Sequence, residues 1–295
     1  MAAKFPGFSQ HRISTSEAEI NLRRGGDGPP VLLLHGYPET HLCWHRVAPL
    51  LARRFTVVAA DLRGYGDSSK PASAPDHAPY SKRSMAQDMV EAMARLGFTQ
   101  FAVVGHDRGA RVAYRMALDH PNAVAKLAVL DIVPTYTTWM RMQMSRGLAT
   151  YHWFFLAQPD GLPERLIGAD PAYYLKEKLR RWSGSMDAFP EEVVADYVRC
   201  FSDPACIHAS CEDYRAGATI DFAIDKADYR TRKIACPVLA LWGQRGFAKG
   251  NDDSNDPVAD WREWADDVRG QPIRCGHFLP EEAPEETTKA LEAFL

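Results

Sequence analysis

The sequence predicts an α/β fold, a mostly parallel, doubly wound sheet carrying one helical insertion, and three observations predict it. Short uninterrupted apolar runs recur along the 295 residues, as strands buried on both faces require. Amphipathic helical patterns separate those runs, which is the alternation of a sheet covered by helices. The alternation then stops for roughly ninety residues and resumes, the mark of an insertion rather than of a tandem second domain.

In chain order, Pro30–Leu34 follows Gly-Asp-Gly-Pro and Phe55–Ala60 ends at Asp61, and both read as buried strands. From Ser84 to Leu96, the residues Met85, Met89, Ala92, Met93 and Leu96 share one side of a helix that Gly97 can stop. Phe101–Val104 and Leu127–Leu130 repeat the strand pattern. Between about Pro134 and Tyr229 it gives way to aromatic-rich helical segments such as Ala172–Trp182 and Glu191–Phe201, and Val238–Trp242 restores it. The expected organisation is a core formed by residues 1–134 and 230–295, with 135–229 inserted as a helical lid.

Hydrophobic residues make up 46% and charged residues 25% of the chain, which places it among globular proteins. No stretch approaches the roughly 18 apolar residues that a bilayer crossing needs. Thirty-five basic against 38 acidic side chains leave a net charge of -3, so no global field draws in nucleic acid or an anionic membrane. An anionic ligand must then be met by a few local cations. The opening Met-Ala-Ala-Lys-Phe-Pro-Gly lacks the features of a secretory signal, and a cytoplasmic protein is expected. The six cysteines form no C-x-x-C pair. His41 and His45 have helical spacing, but no acid follows the first as in H-E-x-x-H; no metal is expected.

The chemistry concentrates in Phe101-Ala-Val-Val-Gly-His-Asp107-Arg-Gly109, where a strand runs into a glycine-flanked residue and then a helix. This G-x-nucleophile-x-G spacing exposes its central side chain at a helix N-terminus, where negative charge is favoured. A serine there would attack esters or amides, whereas the carboxylate of Asp107 attacks a saturated electrophilic carbon and becomes an alkyl ester. Taken alone, the string also suits a helix cap.

With Leu32-Leu-Leu-His-Gly-Tyr37-Pro and Cys275-Gly-His277-Phe-Leu-Pro-Glu-Glu282-Ala-Pro, the chain resembles the α/β-hydrolase fold family over nearly its whole length. That resemblance implies an oxyanion hole from the Tyr37 and Arg108 backbone N–H groups and His277 as general base. The acid that orients His277 often follows the strand after the lid, but Phe247 stands where an aspartate would be expected. Asp131, at the end of the strand before the lid, is therefore the expected acid, as in some dehalogenases of the fold, with Asp252, Asp253 and Asp256 as alternatives.

Arg108 and Arg111 are three apart on one helix beside Asp107, and two cations next to one carboxylate demand a second anion. A guanidinium fork suits a substrate carboxylate, so a short acid bearing the reacting carbon next to that group is expected. The strings Gly105–Arg115, Leu130–Thr135, Tyr151–Pro159 and Cys211–Ala218 are similar to those of the fluoroacetate (haloacetate) dehalogenases. That resemblance implies a halide pocket of His152, Trp153 and Tyr214, no cofactor, a 2-haloacid and water as the only small partners, and a homodimer. Two readings stay open. An epoxide hydrolase uses the same Asp/His pair with lid tyrosines, for which Tyr151, Tyr173, Tyr174 and Tyr214 are available, and a hydrolase-fold binding protein keeps the pocket without turnover.

Overall fold

In the computed structural model, residues 5–247 and 255–295 are described. Eight strands form one sheet: β1 (Ser9–Ser14), β2 (Glu19–Gly25), β3 (Pro30–Leu34), β4 (Thr56–Ala60), β5 (Phe101–His106), β6 (Val124–Leu130), β7 (Val238–Gly243) and β8 (Val268–Ile273). Their order is β1-β2-β4-β3-β5-β6-β7-β8. β1 and β2 run antiparallel, β2 pairs antiparallel to β4, and every pair from β4 to β8 is parallel.

The central strands obey the burial logic that their apolar runs suggest. β4 (Thr-Val-Val-Ala-Ala) and β7 (Val-Leu-Ala-Leu-Trp-Gly) are buried at every position, because helices cover both faces of the parallel sheet. The edges differ. β1 (Ser-Gln-His-Arg-Ile-Ser) and β8 (Val-Arg-Gly-Gln-Pro-Ile) are largely exposed, and Pro272 is tolerated in β8 because an edge strand has ladder positions to spare. These two strands, with β2, carry no apolar run and escape the sequence reading.

The predicted helix over 84–96 is observed at Lys82–Arg95, with Ser81 accepting from the Ser84 N–H as its N-cap. Between β6 and β7 the chain forms eight α-helices and no strand, from Thr135–Met140 to Ile220–Asp228. Glu191–Phe201 is helical over the predicted bounds, and 172–182 falls within Pro171–Trp182. All six cysteines are free. No helix among the described residues is long and apolar enough to cross a membrane. His41 is engaged away from His45: it is buried against Asp61 at 2.8 Å.

Candidate active site

The fold places Tyr37, Asp107, Asp131 and His277 after the C-terminal ends of β3, β5, β6 and β8, the edge where open parallel sheets bind ligands. Asp107 begins the helix Asp107–Asp119 with φ +46°, a left-handed conformation that costs an L-residue about 1–2 kcal/mol. The flanking glycines make the turn possible. A Cβ on Gly105 would come within 2.4 Å of Ala110 Cα, and one on Gly109 within 2.4 Å of the His35 carbonyl oxygen.

The Tyr37 N–H donates to Asp107 Oδ1 at 3.0 Å, while Asp107 Oδ2 lies 3.8 Å from His277 Nε2. On its other side, His277 Nδ1 meets Asp131 Oδ2 at 2.6 Å. Asp131 also accepts from the Gly243 and Phe247 N–H groups at 3.2 and 2.7 Å, so the residue standing where an aspartate was expected supplies a backbone donor to Asp131. Of the alternative acids, Asp256 caps the helix Pro257–Arg262, and Asp252 and Asp253 lie outside the described residues. Burial alone would raise the Asp107 pKa, but His277, His106, Arg108 and Arg111 outweigh it and hold the carboxyl below its ordinary value.

The two arginines are not the equivalent pair that their spacing suggests. The Arg108 side chain is paired with Asp213, a residue the sequence reading passed over, through Nε at 3.0 Å and Nη2 at 2.6 Å. Nη1 alone is left without a partner. Arg111 Nη1 donates to the Val133 carbonyl and to Thr135 Oγ1, both at 3.1 Å, and Nε has no partner. Among the described residues, no carboxylate forms an ion pair with Arg111. Burial and the neighbouring Arg108 pull its pKa down, though a guanidinium stays charged.

Trp153 and Tyr214 close over the arginines, and His152 packs edge-on against Tyr214 with ring centres 5.6 Å apart. Arg111 Cζ stands 4.5 Å from the Trp153 ring centre, and Arg108 Cζ 4.1 Å from that of Tyr214. Burial and Lys178 hold the His152 pKa well below the ordinary value, so its imidazole is neutral. Burial and Asp107 push Tyr214 up, so its phenol keeps its proton. His152 Nδ1 and the Tyr214 hydroxyl are buried polar atoms without a protein partner. Trp182 and Phe247, which pack on His277, also line a cavity of about 780 Å³ bordered by Arg141, Arg146, Arg181 and Arg245.

Two supports behind the catalytic loop carry motif positions whose purpose only the structure reveals. Glu282 accepts from the N–H groups of Gly184, Gly276 and Phe278 at 2.6, 2.9 and 2.9 Å, pinning the backbone around His277. His106, next to the nucleophile, meets Glu39 at 3.0 Å through Nδ1 and donates from Nε2 to the His277 carbonyl at 2.8 Å. Burial opposes its protonation, but Glu39 prevails and raises the His106 pKa to about 9. Among the described residues, no group of three or more His, Cys, Asp or Glu is placed to hold a metal ion.

A strand-end aspartate in a glycine-flanked turn, a histidine beside it and a second acid behind that histidine on a parallel sheet define a class of enzyme. The alpha/beta hydrolase fold model matches residues 29–284, and the chain belongs to that family. Within it, the chain is 45% identical over 292 residues to a fluoroacetate dehalogenase from Burkholderia sp, covering 99% of this chain and 95% of that protein. A soluble epoxide hydrolase from Corynebacterium sp. (strain C12) is 34% identical, with 94% of each chain covered. A solved structure from Nostoc sp PCC 7120, whose own assignment goes no further than alpha/beta hydrolase, superimposes with a TM-score of 0.94 at 59% identity, covering 97% of both chains.

Proposed function

We propose that the protein hydrolyses the carbon–halogen bond of a short 2-haloacid, fluoroacetate or chloroacetate, through an ester on Asp107. The observation that carries this reading is Arg111, a buried cation beside Asp107 that ion-pairs with no described carboxylate, in a site where His152 Nδ1 and the Tyr214 hydroxyl are buried without a protein partner. A carboxylate substrate supplies the missing charge, and a departing halide takes the donors. The fluoroacetate dehalogenase relative supports the same substrate class.

In this mechanism Arg111 and Arg108 Nη1 hold the substrate carboxylate. Asp107 Oδ2 attacks the α-carbon in line as the carbon–halogen bond breaks, and halide leaves with the bonding pair toward His152, Trp153 and Tyr214. Oδ1 becomes the ester carbonyl oxygen and is already seated on the Tyr37 N–H, with the Arg108 N–H as the second expected donor. His277, oriented by Asp131, takes a proton from water, and the resulting hydroxide adds to the Asp107 carboxyl carbon. Collapse of that intermediate passes the proton from His277 to the leaving oxygen and releases glycolate; the second water proton, left on the Asp107 carboxyl group, then passes to His277 and on to solvent, which regenerates the carboxylate. The helical segment 135–229 acts as the lid that shuts the charge transfer away from water.

Epoxide hydrolysis is the second reading. It is favoured by the 34% identical relative and by the buried Tyr214 hydroxyl, which has no protein hydrogen-bond partner and can protonate an opening ring. An uncharged epoxide would leave Arg111 buried without an anion, at a cost of several kcal/mol. Incubation with fluoroacetate, chloroacetate and a simple epoxide, read as halide ion and diol, separates the two. Halide without diol is expected; diol without halide overturns the dehalogenase reading.

A further inference from the structure

Asp213 lies on the helix Pro204–Ala218, directly before Tyr214, and is completely buried. Three donors from the sheet side converge on its carboxylate. The Tyr65 hydroxyl donates to Oδ2 at 2.6 Å, Arg108 donates from Nε and Nη2, and Lys82 Nζ lies against Oδ1. The Asp213 backbone carbonyl takes a further bond from Arg108 Nη2 at 2.8 Å. Lys82 is shared with Asp221, which also accepts the Lys82 backbone N–H at 2.9 Å. Lys82 and Arg108 are therefore matched by two carboxylates from the helical segment, and Arg111 is left as the cation to be matched by a ligand.

The arrangement also fixes orientation. A guanidinium is a planar fork, and with Nε and Nη2 committed to one carboxylate the plane cannot turn. Arg108 is thereby pressed on the Tyr214 ring, and Nη1 is the edge left unpartnered. Since Asp213 and Tyr214 are consecutive, the same helix seats the phenol and sets the arginine.

We infer that Asp213 is a positioning residue for substrate recognition: it locks the Arg108 fork so that Nη1 alone reaches a substrate carboxylate, and ties that setting to the seating of Tyr214. The inference rests on the haloacid reading of the site. It predicts that Asp213 acts through Arg108, and not merely as one of several ties between helix and sheet.

A double-mutant cycle tests this. Binding of glycolate, the product acid, is measured by calorimetry for wild type, Asp213→Asn, Arg108→Leu and the double variant, beside halide release from fluoroacetate. Each single substitution is expected to weaken glycolate at least about tenfold, and the double variant to be within about threefold of Arg108→Leu alone, because the residue through which Asp213 acts is already gone. Lys82→Met, which loosens the same helix without touching Arg108, is expected to lower the melting temperature and leave glycolate affinity within about threefold. Should Asp213→Asn fail to fold, Asp213→Glu, which keeps the charge but shifts it by a methylene, takes its place in the cycle. Losses that multiply in the double variant, wild-type affinity in the Asp213 variant, or a Lys82→Met loss as large as that of Asp213 would overturn the inference. Wild type that binds glycolate with the expected coupling but releases no halide would sink the dehalogenase reading instead and leave the positioning role standing.

Discussion

The two halves of the site are built on different principles. On the sheet side, the groups around the elbow are held by the backbone and by side-chain ties: Asp107 and Asp131 both adopt positive φ, and His277 is tethered through Nδ1, its carbonyl and the Glu282 bonds around it, with Nε2 left open toward Asp107. On the helical side, His152 and Tyr214 turn polar atoms inward that no protein group satisfies. Buried donors left open cost free energy of about 1–3 kcal/mol each, so they persist where a ligand can use them. In the proposed reaction the sheet supplies chemistry that many substrates could undergo, and the helices decide which carbon and which leaving group are admitted.

Substitutions should separate the halves in a graded way. Asp107→Asn removes the nucleophile on the sheet side; turnover should fall by about a thousandfold or more in freshly purified protein whose substituted amide is shown by mass spectrometry not to have deamidated, with the circular dichroism spectrum unchanged. Full activity in that protein would break the comparison at its root. Arg111→Leu lies between the halves and should raise KM for haloacetates at least about tenfold, roughly 1.4 kcal/mol, with a smaller change in kcat.

Tyr214→Phe probes the helical half alone. Fluoride concentrates charge and leaves poorly, so loss of one hydroxyl donor should slow defluorination by about tenfold or more and dechlorination by a smaller factor. Single-turnover halide release is the measurement, and equal losses would mean that Tyr214 seats the helix without receiving halide. The smallest effect concerns the support behind His277. His106 gains its proton affinity on folding, so its pairing with Glu39 contributes stability that is full below pH about 6.5 and is lost as pH rises through about 9. Glu39→Gln should flatten that part of the melting-temperature profile; an unchanged profile would leave His106 uncharged in the native state.

The contrast also explains what could be read beforehand. β3, β4, β5, β6 and β7 announce themselves because burial on both faces forces continuous apolar runs, and the elbow does so because its glycines are dictated by backbone clearance. Asp131 was expected only through the resemblance to dehalogenases of the fold that place their acid after the strand before the lid, with Phe247 standing where the usual acid would be and the acids at 252, 253 and 256 left open. β1 and β8 were hidden by their polar, exposed faces. Asp213 was hidden for another reason. Its partners Tyr65, Lys82 and Arg108 are 148, 131 and 105 positions away, and no periodicity encodes a pairing made only when helix and sheet meet. The one available hint was an acid directly before Tyr214 in the Cys211–Ala218 string, beside an arginine excess at the elbow that two cations and one nucleophile could not balance.

The covalent ester on Asp107 is the claim on which both halves depend, and His277→Asn exposed to fluoroacetate tests it most directly. Without the base, the first displacement should proceed and the second stall: about one equivalent of fluoride per site, with the peptide containing Asp107 heavier by one carboxymethyl group in the mass spectrum. Fluoride released in that amount while the peptide mass stays unchanged would contradict the mechanism.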